Sequence, residues 1–444
     1  MENLKEEHRV PKPQVQPETP KPEPTGSTSV QMLVLSVVIS LVSYGIFVYG
    51  TADSNSIPSQ LPPQSVFVNP QSFAVLGQTN SLSVSAFRNS SFTQFFNPTN
   101  TEPPFFQIFD PGFLDILGPN PTFNQVASNS TFAFAHEAPV YVPELNEVFF
   151  ASNDGGPLGM SGLNENSKYG KINLTTVEAA LSRTTARGVA VNVPVTELDL
   201  PDTIQMPNGG TGPYLSNLLL ITSGRGTRPP AIALVNPNSP NNVTILLDNF
   251  FGRQFNSLND IKVHPSGAFF FTDPTYGFLQ DFRPPPVLPN QVYRFDPSTG
   301  AVRVVATNFD KPNGIAFTQD GKIAYVTDTG AGNGFFPNNQ TEPATIFAFD
   351  VDPVSQIFLN RRIFAYADTG IPDGIQLDTN GNVYSGCGDG VNVWNPDGVL
   401  LGKFFLGSVS SNMIFAGPGR LVINAETKMF VAHIAASGFP SPFP

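Results

Sequence analysis

Four residues with side-chain oxygens occupy one position in four similar stretches of this sequence. They are Glu137, Asn259, Asn313 and Asp373, and each stands eight residues before the turn of a short hairpin pattern. Two carboxylates and two amides form an oxygen-only ligand set, which Ca²⁺, Mg²⁺ or Mn²⁺ prefers over Zn²⁺ or Cu²⁺. The pattern predicts a site for Ca²⁺ or another hard divalent cation where these residues meet.

Such a site can do hydrolytic chemistry. A cation held by four protein ligands leaves room for water and for a substrate carbonyl, which it can polarise. The ester of a lactone suits this site because its carbonyl needs charge stabilisation more than a strong nucleophile. Asp373 is predicted to be a ligand and also the general base that activates or orients the water.

The stretches that carry these residues are predicted to be β-hairpins. Asn259 to Asp273 reads NDIKVHPSGAFFFTD, in which Pro265-Ser266-Gly267 separates two apolar runs. A glycine at the bend between β-branched or aromatic residues is typical of a hairpin. The pattern recurs in EAPVYVPELNEVFFASND from Glu137, NGIAFTQDGKIAYVTD from Asn313 and DGIQLDTNGNVYSGC from Asp373.

Two weaker copies complete the series, at Gly212 to Gly224 and at Gly417 to Glu426. The six turns fall near residues 145, 217, 267, 321, 381 and 419. Repeats of this size with several strands each are typical of β-propellers. We predict an all-β fold, a six-bladed β-propeller over residues 105–444 without a long helix, closed by a strand from Phe105 to Ala135. A β-sandwich is the alternative, but it does not explain oxygens that recur in one register.

Composition agrees with a turn-rich β protein. The chain of 444 residues has 44 Pro and 38 Gly, and only 13% of its residues are charged. The formal net charge of −12 argues against binding to nucleic acid or to an anionic membrane surface. The single cysteine, Cys387, excludes an internal disulfide and is predicted to be packed in the core.

The N-terminal region has the composition of a membrane anchor. Residues 1–29 form a polar tail that lacks the apolar content to fold, and Val30 to Tyr49 is a run without a charge that is long enough to span a bilayer. Four Lys or Arg precede this run and the next is Arg88, which predicts a type II anchor over residues 30–50, a cytoplasmic tail and a lumenal or extracellular body. The alternative is a cleaved signal peptide and a secreted protein.

Between the anchor and the propeller, residues 51–104 are rich in Ser, Asn, Gln and Pro and are predicted to be a linker with a loosely attached lead-in strand. Sequons at five positions permit glycosylation. They begin at Asn89, Asn129, Asn173, Asn242 and Asn339.

From Phe105 to about residue 435 the chain resembles the gluconolactonase and senescence-marker-protein superfamily, which includes regucalcin-like proteins, and most of all its fungal lactonohydrolase branch. The resemblance rests on the linked motifs HEAPVY, LNDIKVHPSG, PNGIAF and PDGIQL, which begin at His136, Leu258, Pro312 and Pro372. It implies a six-bladed propeller with one divalent cation in its central tunnel and an aldonolactone-like substrate.

Matched motif to motif, the resemblance implies that Glu137, Asn313 and Asp373 are metal ligands. Asn259 corresponds to the asparagine that either completes the metal shell or holds the substrate, so it is assigned to the metal and to the catalytic residues. The family often has an arginine two residues earlier for a polar substrate group. Ser257 stands there in this chain, and this departure leaves the sugar-acid specificity open.

Other polar residues near these motifs are assigned lesser roles. His136, next to Glu137 in a strand, is expected to face away from the tunnel, and His264, beside a turn, is expected at the surface. Three acids at the ends of hairpin strands are expected to cap turns, namely Asp154, Asp273 and Asp328. Asp260, which follows Asn259, is expected to contact the ligands and not the metal itself.

Two function classes remain open. The first is a metal-dependent hydrolase that opens the ester ring of a small-molecule lactone. The second is a non-hydrolytic, membrane-anchored propeller, similar to strictosidine-synthase-like proteins, that keeps the ion for stability and binds a ligand or partner. The complete set of four oxygen ligands favours the hydrolase, because a scaffold could lose any of them and still fold.

Overall fold

The computed structural model describes residues 60–75, 97–184, 187–441 and 443. Their 26 strands lie in six sheets, and within each repeat consecutive strands pair antiparallel. The first strand of each sheet contacts the first strand of the next, and the series closes on itself. The sheets therefore stand around a central axis, and the predicted six-bladed β-propeller is confirmed.

Three strands precede the first blade, namely β1 (Ser65–Phe67), β2 (Phe105–Ile108) and β3 (Thr122–Ser128). Blade 1 contains β4 (Glu137–Val142), β5 (Glu147–Ala151), β6 (Tyr169–Asn173) and β7 (Thr196–Leu198). Blade 2 contains β8 (Pro207–Tyr214), β9 (Asn217–Thr222), β10 (Ala231–Asn236) and β11 (Ser239–Leu247). Blade 3 contains β12 (Ile261–Val263), β13 (Phe269–Asp273), β14 (Gln291–Asp296) and β15 (Ala301–Ala306).

The remaining blades follow the same order from the centre outward. Blade 4 contains β16 (Pro312–Phe317), β17 (Ile323–Asp328), β18 (Thr345–Val351) and β19 (Phe358–Tyr366). Blade 5 contains β20 (Ile375–Leu377), β21 (Val383–Cys387), β22 (Gly390–Trp394) and β23 (Leu400–Phe405). Blade 6 contains β24 (Asn412–Phe415), β25 (Arg420–Ala425) and β26 (Lys428–His433).

The segment before blade 1 closes the ring. Strand β3 pairs antiparallel with β26 and becomes the fourth strand of blade 6, with Thr122 opposite His433. Strand β2 extends blade 5 by pairing with β23, and β1 adds to β2 in parallel. Pairing an early strand with the last one covers a sheet edge that would otherwise be open. The prediction that residues 105–135 supply the closing strand is confirmed.

The helices in the described ranges are short. They are a 3₁₀ turn (Pro70–Phe73), α1 (Phe113–Leu117), α2 (Leu174–Leu181) and α3 (Tyr276–Leu279). Asn173 caps α2 by accepting a hydrogen bond from the Thr176 amide. In the ranges given above, no helix has both the length and the apolar character needed to cross a membrane. The predicted anchor at Val30 to Tyr49 lies outside the described residues.

All six predicted hairpins are present. Each has a residue with positive φ at its turn, and these residues are Asn146, Ser216, Gly267, Gly321, Gly381 and Gly419. In blade 2 the inner strand begins at Pro207, upstream of the Gly212 at which the weaker copy was placed.

Apolar clusters fill the spaces between blades. Phe269 to Phe271 are fully buried, and Phe270 packs between blades against Phe317 and Phe358 of blade 4. Cys387 is buried, as predicted. The prediction of an exposed His264 is wrong, because the turns of blades 3 and 4 lie side by side and its Nε2 donates to the Gly321 carbonyl at 3.0 Å.

Glycines allow the inner strands to approach each other. A Cβ atom on Gly314 would lie 2.5 Å from the Asp373 carbonyl oxygen, and one on Gly209 would lie 2.3 Å from the Asn259 carbonyl oxygen. These distances are too short for any side chain. The glycine that follows the polar residue in each of these inner strands therefore sets the width of the tunnel.

We expect Gly314→Ala to destabilise the protein by about 1–3 kcal/mol, because the added methyl must push the backbone of blade 5 away. Gly162→Ala is the matched control, since a Cβ there has nothing within 4 Å. Urea denaturation of both variants measures the difference. Equal free energies of unfolding would show that the inner strands do not need this close approach.

Candidate metal centre

The first and fifth blades bring two carboxylates together in the tunnel. Three residues, His136, Glu137 and Asp373, each place one atom that could ligate a metal within 4.8 Å of the other two. Glu137 and Asp373 are far apart in the sequence, and their meeting follows from the shared register at the start of two inner strands. Asn313 lies beside Asp373, whose pKa it lowers.

Irregular strand pairing at the start of the inner strands directs these side chains. The register shifts between Glu137 and Val140 in blade 1, and between Pro312 and Ile315 in blade 4. In blade 1 this bulge includes Ala138 at φ 49°. A bulge breaks the alternation of side chains and re-aims them. The prediction that His136 faces away from the site is wrong, because His136 lies just before β4, where the alternation of a strand does not apply, and its Nε2 lies 3.9 Å from Glu137 Oε1.

Hydroxyl groups of neighbouring blades hold the backbone of these positions. Thr272 of blade 3 donates to the Asn313 carbonyl at 2.7 Å, and Thr327 of blade 4 donates to the Asp373 carbonyl at 3.0 Å. Ser411, just before blade 6, donates to the His136 carbonyl at 2.7 Å. Each bond links one blade to the next at the residue that borders the tunnel.

Two of the four predicted residues present buried oxygens that lack a partner. Among the described residues, Asn259 Oδ1 and Asp373 Oδ1 have no hydrogen-bond partner, and Asn259 is only 5% exposed. Glu137 Oε2 accepts a hydrogen bond from Asn412 Nδ2 at 2.7 Å. Buried acceptors without donors are unfavourable unless something else binds them. These oxygens fit a hard divalent cation.

The electrostatics agree with that fit. Burial and the nearby Asp373 carboxylate raise the pKa of Glu137 well above its ordinary value. Burial raises the pKa of Asp373 to about 6, although the charge of His136 lowers it. Two close carboxylates that resist ionisation would both become ionised beside a cation, because the positive charge stabilises both.

His136 belongs to a small hydrogen-bonded group at the edge of this site. Its Nδ1 lies 2.6 Å from Glu426 Oε1, and Asn153 donates to Glu426 Oε2 at 2.8 Å. Burial lowers the pKa of His136, but the carboxylates of Glu426, Glu137 and Asp373 outweigh burial and raise this pKa to about 10.

The acids assigned to turn capping differ in their contacts. Asp273 accepts from the amides of Asn256 and Ser257, and Asp328 accepts from those of Asp310 and Lys311, as predicted. The prediction for Asp154 is wrong, because β5 already ends at Ala151 and the Asp154 carboxylate contacts a side chain of blade 2. Asp154 instead faces Asn208 Nδ2, which lies 3.5 Å from Asp154 Oδ2. Burial raises the pKa of Asp154 to about 7.

Asp260 joins two blades. Its Oδ1 accepts from the Ile261 amide at 2.8 Å, and its Oδ2 accepts from the Ile315 amide of blade 4 at 3.0 Å. Both carboxylate oxygens are therefore engaged with the backbone.

Sequence reasoning missed Asn208, Asn412 and Glu426. For Asn208 a signal exists, because Pro207-Asn208-Gly209 repeats Pro312-Asn313-Gly314 and Asn208 stands eight residues before Ser216. Asn412 stands one residue beyond the position eight before Gly419, and Glu426 follows a strand in the last blade. No spacing in the sequence connects these two to the site.

Comparisons with known proteins identify the family. Residues 176–426, more than half of the chain, match the family described as SMP-30/Gluconolactonase/LRE-like region, and the chain belongs to this family. The lactonohydrolase oryL of Aspergillus oryzae is 30% identical over 338 residues, covering 72% of this chain and 71% of the relative. The resemblance inferred from the motifs is confirmed, and the prediction of a lactonase agrees with this relative.

Solved structures of similar fold are also known. A gluconolactonase from Xanthomonas campestris is 22% identical with a TM-score of 0.58, covering 76% of this chain and 96% of that one. Regucalcin from Agrobacterium tumefaciens, described as a calcium-binding protein, is 17% identical with a TM-score of 0.51, covering 72% and 97%. At these identities the likeness shows the shared propeller fold.

The raised pKa of Asp373 predicts how pH controls cation binding. Without a cation the folded protein holds this proton up to about pH 6, whereas the unfolded chain releases it near the ordinary value, so the free energy of unfolding falls as pH rises between the two values. A cation that needs ionised carboxylates offsets this loss. We expect the increase in Tm caused by Ca²⁺ to be small near pH ~5 and larger near pH ~7.

Differential scanning fluorimetry with Ca²⁺ or chelator at matched ionic strength measures this difference. Effects on groups far from the site cancel when the two conditions are subtracted. A Ca²⁺-induced increase that is the same at both pH values would contradict the assignment of Glu137 and Asp373 as ligands.

Proposed function

We propose that this protein is a lactonase that opens the ester ring of its substrate at a divalent cation in the propeller tunnel. The observation that carries the proposal is the pair of buried oxygens, Asn259 Oδ1 and Asp373 Oδ1, which have no hydrogen-bond partner in the described structure, beside the Glu137 carboxylate. Family membership and the lactonohydrolase relative support the reaction. The oxygen-only ligand set supports Ca²⁺, with Mg²⁺ or Mn²⁺ as alternatives.

In this proposal Glu137, Asn259, Asn313 and Asp373 hold the cation. When bound, the cation would polarise the lactone carbonyl and stabilise the negative charge that develops on its oxygen. Glu137 is fixed for this task by the hydrogen bond from Asn412. The hydroxyl groups of Thr272 and Thr327 fix the backbones of Asn313 and Asp373.

Asp373 is the general base. It accepts a proton from the water whose oxygen forms a bond with the carbonyl carbon, and the proton later goes to the ring oxygen when the ester C–O bond breaks. The product is the open hydroxy acid. Asp260 does not compete for this role, because the backbone occupies both of its oxygens. Asn259 contributes its free oxygen to the cation or to the substrate.

Two substitutions separate binding from proton transfer. Glu137→Gln should weaken Ca²⁺ binding and lower the Tm measured in the presence of Ca²⁺, because a charged ligand is removed and the bound ion is coupled to folding. Asp373→Asn keeps the shape and an oxygen donor, so it should still bind Ca²⁺ while kcat falls by about 10² or more at saturating Ca²⁺. Asp397→Asn, an exposed turn residue, is the matched control. Full turnover of Asp373→Asn in excess Ca²⁺ would make Asp373 a ligand only.

A substrate panel tests the reaction itself. Aldonolactones and an aryl ester should be hydrolysed with Ca²⁺, and hydrolysis should fall to the uncatalysed rate with chelator. Binding of Ca²⁺ without hydrolysis of any member of the panel would favour the non-hydrolytic propeller with a structural ion.

We also propose that Val30 to Tyr49 anchors the propeller to a membrane with the enzyme body on the lumenal or extracellular side. The charge-free run and the four Lys or Arg before it support this topology. Protease added outside intact microsomes should remove only the N-terminal tail. Recovery of a soluble form that begins near Asp53 would favour a cleaved signal peptide instead.

A further inference from the structure

Two buried acceptor oxygens lie in the tunnel outside the proposed ligand set. They are Asp154 Oδ1 and Asn208 Oδ1, which lack a partner of regular hydrogen-bond geometry among the residues that the structure describes, although the nearby Ser167 hydroxyl stabilises the ionised Asp154 carboxylate. Asp154 is 5% exposed and Asn208 is 8% exposed. An amide oxygen can only accept hydrogen bonds, and the same is true of both oxygens of an ionised carboxylate. A group that pairs with these two atoms must therefore be a hydrogen-bond donor.

The position of Asn208 directs its side chain into the tunnel. It stands at the start of the inner strand of blade 2, eight residues before the turn residue Ser216. This is the position that Asn259, Asn313 and Asp373 occupy in blades 3 to 5. The contact between Asn208 Nδ2 and Asp154 Oδ2 places the two side chains next to each other. It leaves Asp154 Oδ1 and Asn208 Oδ1 without a regular hydrogen bond in the described structure.

A loop of blade 3 fixes Asp154 at the mouth of the tunnel. Gln280, which follows α3, crosses to blade 1 and donates to the Asp154 carbonyl at 2.8 Å. Strands β5 and β13 both end on the side of the propeller where the candidate ligands lie. At the end of β5, Ala151 pairs with Glu137, and near the end of β13 the Thr272 carbonyl accepts a hydrogen bond from the Asn259 amide. The pair formed by Asp154 and Asn208 therefore faces the end of the tunnel that holds the candidate centre.

The position two residues before Asn259 carries no charged side chain. Ser257 occupies that position, is 2% exposed, and accepts a hydrogen bond from the Gly277 amide at 2.9 Å. The Arg283 side chain donates instead to backbone carbonyls, including those of Asn256 and Gly226. Ser257 therefore presents no positive charge to a substrate, and the Arg283 guanidinium is engaged with the backbone.

We propose that Asp154 and Asn208 form a hydroxyl-recognition subsite that accepts hydrogen bonds from the hydroxyl groups of a neutral polyhydroxylated lactone. This inference rests on the proposed lactonase function. In its ionised form Asp154 would repel a lactone that carries a carboxylate or phosphate. A lactone without hydroxyl groups would leave both buried oxygens unpaired, which is the condition under which a site discriminates strongly.

Two six-membered lactones test the subsite, glucono-δ-lactone with its hydroxyl groups and δ-valerolactone without them. Rates are divided by the uncatalysed rate of each lactone, so that ring reactivity does not enter the comparison. We expect the wild-type protein to favour glucono-δ-lactone in normalised kcat/KM by about 10² or more. In Asn208→Leu and in Asp154→Asn this preference should fall at least ~10-fold, with δ-valerolactone changed less than ~3-fold.

Tm and Ca²⁺ affinity are the readouts that a structural or metal-binding role would change. Asp154→Asn keeps an acceptor for Asn208 Nδ2 and should leave Tm unchanged or higher. Asn208→Leu also removes that donor and should lower Tm only slightly, because the contact is long at 3.5 Å. Ca²⁺ affinity should stay within about 2-fold in both variants. Asn241→Leu and Asp397→Asn, both at exposed positions, are the matched controls and should keep the wild-type preference.

The outcomes distinguish the two levels of inference. If the wild-type protein hydrolyses neither lactone in the presence of Ca²⁺, the proposed lactonase function fails. If it hydrolyses both without preference, or if the variants lose both activities equally, the subsite is wrong and the lactonase function stands. A fall of ~10-fold or more in Ca²⁺ affinity would place Asp154 or Asn208 among the metal ligands instead.

Discussion

The close approach of neighbouring inner strands is the constraint on which the site depends. At Gly314 and Gly209 the backbone of the next blade lies where a Cβ atom would be. This approach brings side chains from different blades into one narrow tunnel, and hydroxyl groups such as those of Thr272 and Thr327 fix the strands there. Pairing of β3 with β26 keeps the ring of blades closed around the tunnel. Tunnel width, ligand distance and ring closure are therefore parts of one geometry.

That geometry has an electrostatic consequence. It buries Glu137 and Asp373 close together, and burial together with like charge raises the pKa of Glu137. A metal-free tunnel of this kind opposes ionisation of its own carboxylates, and a bound cation would remove this opposition. Binding of a cation by Glu137 and Asp373 would thus be coupled to folding, because these carboxylates are unfavourable in the tunnel without a positive charge beside them.

The tunnel is also asymmetric. Blades 5, 6 and 1 bring together the two carboxylates, His136 and the amide of Asn412 that holds Glu137. Blades 1 and 2 present Asp154 and Asn208, each with a buried oxygen that makes no regular hydrogen bond in the described structure. The asymmetry separates the side that would act on the ester from the side that would recognise the rest of the substrate.

The sequence by itself determined the number of blades, the all-β class and the register of the four oxygen-bearing residues. These features depend on local patterns, since turn residues such as Gly267 and Gly321 and the apolar runs beside them specify each hairpin within some fifteen residues. The same rule, carried five residues upstream of Gly212 to Pro207, would have found Asn208 as well. The family motifs agreed with this register because they are the same hairpins.

Only the tertiary structure decided the surroundings of those residues. Asn412 meets Glu137 across 275 residues, and Glu426 meets His136 across 290. Such contacts arise when the last blade closes on the first, and no local pattern encodes them. The orientation of His136 was mispredicted for a related reason, because His136 lies just before β4 and the alternation on which the prediction relied begins only at Glu137. Hairpins are specified by neighbours in sequence, whereas the site is specified by neighbours that ring closure creates.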